Sequence, residues 1–129
     1  MNHYELAKKW LSVFGADVEP ELVQERVTSY GNYLWHLFTW GNVPCLEGAD
    51  ARKAFDSLSF TEAIRFYDGY DNHIENITEV GKLSAEELDQ DFGNDVYIVA
   101  KDFSWTYVRT HERDCCGPYF CLKAGKEKL

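Results

Sequence analysis

No apolar run in the chain approaches the roughly 18 residues that a membrane-spanning helix needs, and the opening M-N-H-Y-E-L-A-K-K-W lacks the basic start, apolar centre and small-residue cleavage site of a secretory signal. Both absences point to a cytosolic protein with no membrane association. The sequence also lacks a glycine-rich phosphate loop, a G-x-S-x-G elbow and an H-E-x-x-H helix, which removes the common phosphate-binding, serine-hydrolase and zinc-protease motifs. It holds no internal repeat or low-complexity tract. Cysteine is present four times, but Cys115 and Cys116 are adjacent and cannot easily bridge each other, so reduced thiols rather than a disulfide framework are the expectation.

Positive charge is scarce. Thirteen Lys and Arg stand against 22 Asp and Glu, a formal net charge of −9. The imbalance is concentrated between Glu47 and Asp95, where 13 carboxylates meet only Arg52, Lys53, Arg65 and Lys82. Such a field disfavours bare nucleic acid and anionic membranes as partners and favours a cationic protein.

What is present suits one folded domain. The 129 residues are 45% apolar and 16% aromatic, enough to build a single core without a partner. Asn2 can cap a helix over 3–14 with Tyr4, Ala7, Trp10, Leu11 and Phe14 as its apolar stripe. Gly15 ends it. Pro20 suits the first position of a second helix over 19–28. The stretch N-Y-L-W-H-L-F-T-W, residues 32–40, is apolar on both sides and reads as a central strand, with His36 as a packed core histidine. Ala51, Ala54, Phe55 and Leu58 mark a helix over 49–58, in which Asp50 can cap or favour the first turn.

Two hairpins follow. The first joins strands over 63–67 and 73–78 through an acidic, solvent-facing turn. A Ser84 to Glu87 capping box then opens a short helix reaching about residue 91. The second hairpin pairs Val96–Ala100 with Trp105–His111. Together these elements predict a single α+β domain over 1–129, with a mainly antiparallel sheet of about five strands packed against the N-terminal helices, and a frayed basic tail over 124–129.

The stretches L34-W-H-L-F, C45-L-E-G-A-D-A-R-K-A-F and W105-T-Y-V-R-T-H-E, with G117-P-Y-F behind them, resemble an uncharacterised family of small bacterial proteins described as a domain of unknown function. The likeness runs from about residue 30 to residue 120. It implies a shared fold and brings no activity, substrate or catalytic residue with it.

Three functional readings compete. His111, Glu112, Cys115, Cys116 and Cys121 could form a metal or thiol site, possible help coming from His36 or Cys45, yet H-x3-C and C-x4-C lack the second close pair that zinc sites use. Small packed thiols around a glycine-proline turn are the plainer reading. Asp68 with Asp71, or Glu86 with Glu87, could act as paired catalytic carboxylates, but a turn and a short helix would leave both pairs solvated. The third reading is favoured: a non-enzymatic module that needs no cofactor and engages a basic partner through Asp68, Tyr70, Asp71, Glu75, Glu79, Glu86, Glu87, Asp89 and Asp91. Its charge and size suit an immunity protein or inhibitor of a cationic toxin or nuclease. Tyr67, Tyr70, Trp105 and Tyr107 are candidate aromatic anchors, although core packing is the plainer explanation for most of them.

Overall fold

The computed structural model describes residues 2–24, 27, 34–39, 43–58, 62–68, 74–78, 83–90, 95–110 and 117–123. They form α1 (His3–Phe14), α2 (Pro20–Val23), α3 (His36–Thr39), β1 (Leu46–Glu47), α4 (Ala49–Asp56), β2 (Ala63–Tyr67), β3 (Glu75–Ile77), α5 (Ala85–Leu88), β4 (Val96–Ala100), β5 (Trp105–Arg109) and β6 (Tyr119–Leu122). The strands make one antiparallel sheet in the order β1-β6-β5-β4-β2-β3. The α+β class is as the sequence predicts, with one strand more than expected.

Every residue of β4 and β5 is buried, because helices cover the sheet on both sides. Alternation sorts the side chains. Phe66, Tyr97, Val99, Val108, Tyr119 and Cys121 point to one face, where they pack with Leu6, Trp10 and Phe14 of α1 and with Leu37 and Phe38 of α3. Ala63, Val96, Ile98, Ala100, Trp105, Tyr107 and Phe120 point to the other, against Ala51 and Phe55 of α4 and Ala85 and Leu88 of α5. The N-terminal helices thus cover one face only. Completely burying a large side chain contributes about 1.5–3 kcal/mol, so these two clusters are the principal apolar source of stability.

Helix α1 begins with the anticipated cap. Asn2 accepts from the Glu5 backbone N–H at 2.9 Å while the Glu5 carboxylate accepts from Asn2 N–H at 3.1 Å, a reciprocal capping box. Its buried stripe is Leu6, Trp10 and Phe14, whereas Tyr4 is 69% exposed with the Lys8 ammonium over its ring. The Trp10 indole N–H donates to Thr106 Oγ1 at 2.9 Å, and that hydroxyl donates to Ile98 O at 2.9 Å, so a buried polar pair ties helix to sheet with both groups satisfied.

The stretch expected to be a central strand is instead helical over His36–Thr39. Trp35, Leu37 and Phe38 are buried because this segment packs in the same core as α1 and the sheet, Phe38 touching both Trp10 and Tyr119, and such a position removes polar faces as thoroughly as a place within a sheet. His36 is half-buried with its ring tilted against that of Trp35, the centroids 4.2 Å apart. The central role belongs to β4 and β5. Leu46–Glu47 forms β1 and Tyr119–Leu122 forms β6, neither of them among the strands expected from the sequence.

Asp50 lies in the first turn of α4, the second of its two expected roles, rather than capping it; Gly48 occupies the N-cap with φ +66, a left-handed conformation that glycine adopts without steric cost, and no side-chain hydrogen bond caps this end. Ser84 does cap α5, accepting from Glu87 N–H at 3.2 Å, and Asp56 at the end of α4 accepts from Ala85 N–H at 2.8 Å. Between β4 and β5, Phe103 has φ 60, unusual for a residue with a side chain. Its ring is buried under α1, with the Lys9 ammonium 4.6 Å from the ring centre. The expected extensions to Thr28, Asp91 and His111 and the tail 124–129 fall outside the described residues.

Candidate functional site

Three groups of chemistry-bearing side chains are described, one on each face of the sheet and one at its β1 edge. The first lies at the end of the sheet where β2 stops and β4 starts. Tyr97 donates its hydroxyl proton to Asp68 Oδ2, and the same hydroxyl accepts from Trp35 N–H at 2.9 Å. Leu34 N–H donates to Asp68 Oδ2 at 3.3 Å, and the Trp35 indole N–H donates to Asp95 Oδ1 at 2.9 Å. Two carboxylates and a phenol therefore grip the entry to α3. Burial pushes the Asp68 carboxyl up to about 7; the Asp95 charge adds to the rise, while the bonds from Tyr97 and Leu34 and the nearby His3 oppose it. His3 Nε2–H donates to Tyr67 O at 2.7 Å, holding the start of α1 to the same end of the sheet. Tyr97 itself is pushed well above the ordinary phenol range by burial and by Asp68.

The second group lies beneath α4 and α5. Arg109 on β5 is 1% exposed, with Nε 3.6 Å from Asp89 Oδ1, and Arg52 of α4 reaches Asp89 Oδ2 at 2.5 Å. One carboxylate thus bridges two guanidinium groups, which raises the Arg52 pKa further. Tyr107 stacks on Phe55 at 4.2 Å; its hydroxyl is buried without a hydrogen-bond partner among the described residues, and burial drives its pKa upward.

The third group is Cys45 with Cys121. Both thiols are free and packed against the α1 side of the core, and burial pushes each up to about 12. At neutral pH neither is a ready thiolate nucleophile. Among the described residues, no group of three His, Cys, Asp or Glu side chains could hold a metal ion.

The predicted site residues divide by face. Glu75 pairs with Arg65 on the α4–α5 side of the sheet, where Asp89, Glu86 and Glu87 also lie. Asp68 faces the opposite side and is buried beside Tyr97 rather than exposed on an acidic turn. Tyr67 is half-buried and Trp105 and Tyr107 are buried in the core, which leaves none of these three as an exposed anchor. Tyr70, Asp71, Glu79, Asp91, His111, Glu112, Cys115 and Cys116 lie outside the described residues. Sequence reasoning missed the Asp68–Tyr97–Trp35–Asp95 network altogether. Its only local signal is a pair of aspartates flanking strands, Asp68 directly after β2 and Asp95 directly before β4.

No helix among the described residues is long and apolar enough to cross a membrane. No curated protein and no solved structure matches the chain. The likeness seen from residue 30 onward nevertheless extends back into α1, the helix that closes over Tyr97 and Thr106: a family model described as a domain of unknown function (DUF4275) spans residues 3–120, and the chain belongs to that family.

Proposed function

We propose that this protein is a non-enzymatic binding module that captures a basic protein, as an immunity protein or inhibitor of a cationic toxin or nuclease would. The α4–α5 side of the sheet is the contact face. The observation that carries this reading is how charge is divided there. Arg109 is buried against Asp89, and Arg52, about a third exposed, pairs with the same carboxylate, which leaves Lys53 as the exposed cation of α4, while Glu86 and Glu87 remain exposed next to Asp56, which is bonded to Ala85 N–H. Among the described residues, no cation pairs with Glu86 or Glu87. A field of that kind accelerates encounter with a positively charged surface and selects against acidic partners.

Affinity capture with the full chain at low and high salt tests the proposal. A basic protein should be retained at low salt, released at high salt, inhibited in its own activity by this chain, and lost from the Glu86→Lys/Glu87→Lys variant. An Asp17→Lys/Glu19→Lys variant, altered in the exposed segment before α2, should retain it. Capture that survives reversal of both glutamates, or a captured protein whose activity is untouched, would overturn it.

A further inference from the structure

The register of the β1 edge places two thiols side by side. Leu46 faces Phe120 and Glu47 faces Tyr119 in antiparallel pairing. One step further, Gly48 N–H donates to Pro118 O at 2.9 Å, which marks 48 and 118 as a hydrogen-bonded pair. Hydrogen-bonded and non-hydrogen-bonded pairs alternate along an antiparallel ladder. Leu46 and Phe120 are therefore hydrogen-bonded, and the next position, Cys45 opposite Cys121, is of the non-hydrogen-bonded kind, in which α-carbons approach to about 4.5 Å and side chains are closest. That separation falls within the window of about 4.4–6.8 Å that a disulfide accepts.

Two further contacts agree with the register. Cys121 Sγ–H donates to the carbonyl of Pro44, the residue before Cys45, at 3.6 Å. Residues directly opposite in a sheet point to one face, and both thiols pack against the α1 side of the core.

We propose that Cys45 and Cys121 form a redox pair that closes into a cross-strand disulfide at the expense of a low-molecular-weight disulfide such as oxidised glutathione. Cys45, the more exposed of the two, loses its proton to solvent and its sulfur attacks the small disulfide, whose S–S bond breaks to release one thiolate. Cys121 then gives up its proton, and its sulfur attacks Cys45 Sγ to form the protein disulfide and release the second thiolate. Two protein thiols are oxidised and one small disulfide is reduced to two thiols. Because burial holds both thiols near 12, the exchange is slow at neutral pH and accelerates as pH rises. The bond fastens β1 to β6, and β1 leads through Gly48 directly into α4.

The experiment incubates the reduced full chain with oxidised glutathione at mildly alkaline pH, followed by acid quench, alkylation, proteolysis and mass spectrometry. The expected product is a peptide pair joined through Cys45 and Cys121, formed equally in the Cys115→Ser/Cys116→Ser variant and absent from Cys45→Ser with its circular dichroism spectrum unchanged. A bond closing so long a loop should raise Tm by about 5 °C or more over the reduced chain. Recovery of both cysteines as alkylated thiols, capping of Cys45 by glutathione alone, or linkage of Cys45 to Cys115 or Cys116 would overturn the proposal.

Discussion

The two faces of the sheet bury aspartate in different ways. Under α4 and α5, Asp89 sits between Arg52 and Arg109, so the charge of Arg109, a side chain that is 1% exposed, is met by an opposite one. On the α1 side, Asp68 accepts from neutral donors, the Tyr97 hydroxyl and the Leu34 amide, and the Trp35 indole donates to Asp95. Ionic compensation keeps a buried charge in place across a wide pH range, whereas neutral donors leave a carboxyl free to hold its proton near neutrality. The first face is sensitive to loss of a partner and the second to pH.

The largest expected effect comes from breaking the ionic face. Asp89→Ala leaves Arg109 buried with its bridging carboxylate gone and should destabilise the fold by about 3–5 kcal/mol in urea unfolding. Replacing Asp89 and Arg109 together by apolar residues of similar size should cost less, since the buried guanidinium is removed along with the carboxylate it meets. A double variant as unstable as Asp89→Ala would show that the pair itself, rather than the guanidinium left without Asp89, holds this face together.

The neutral face should announce itself through pH. The folded Asp68 carboxyl sits at about 7 against an ordinary 3.8, so between those values the folded chain holds a proton that the unfolded chain has released. Its contribution is complete below the lower value and is lost as pH rises through the upper one, up to about 4 kcal/mol in all. Stability measured by denaturant titration should fall over this window in the natural chain and fall less in Asp68→Asn. Equal slopes for the two proteins would remove Asp68 as the cause.

Smaller effects sharpen the contrast further. Trp10→Phe deletes the indole donor to Thr106 while keeping an aromatic ring, and should lower stability by about 1–2 kcal/mol with little change in pH dependence. Asn2→Ala removes the capping side chain of α1 and should cost about 1 kcal/mol, read as a small drop in Tm. If Asn2→Ala also steepened the pH profile, the start of α1 and the neighbouring His3 would be coupled to Asp68 more tightly than the contacts require.

Much of this architecture is legible in the residues because its signals are local. Val96–Ala100 and Trp105–Arg109 carry strand composition on either side of a short turn, and Asn2 with Glu5 and Ser84 with Glu87 lie at the spacing that caps a helix. Residues 36–39 give an ambiguous signal, since periodicity cannot distinguish a buried strand from a short helical segment packed into the core. Tyr119–Leu122 gives an equally ambiguous signal, being only four residues long and buried at Tyr119, Phe120 and Cys121 on both sides of the sheet. The Asp68 network joins residues about thirty positions apart, and no local pattern encodes it. Charge composition correctly marks the middle of the chain as acidic but says nothing of which carboxylates turn inward, and Asp68 and Asp89 both do so.

Among the described residues the sheet ends in β1 on one side and β3 on the other, of two and three residues, with Glu47 on the first and Glu75, paired with Arg65, on the second. So brief a border offers a foreign strand few backbone rungs, and a negative side chain meets it at either margin. Runaway stacking of one copy onto the next is discouraged by the same brevity. A partner that met either edge would find side chains rather than a ladder to share.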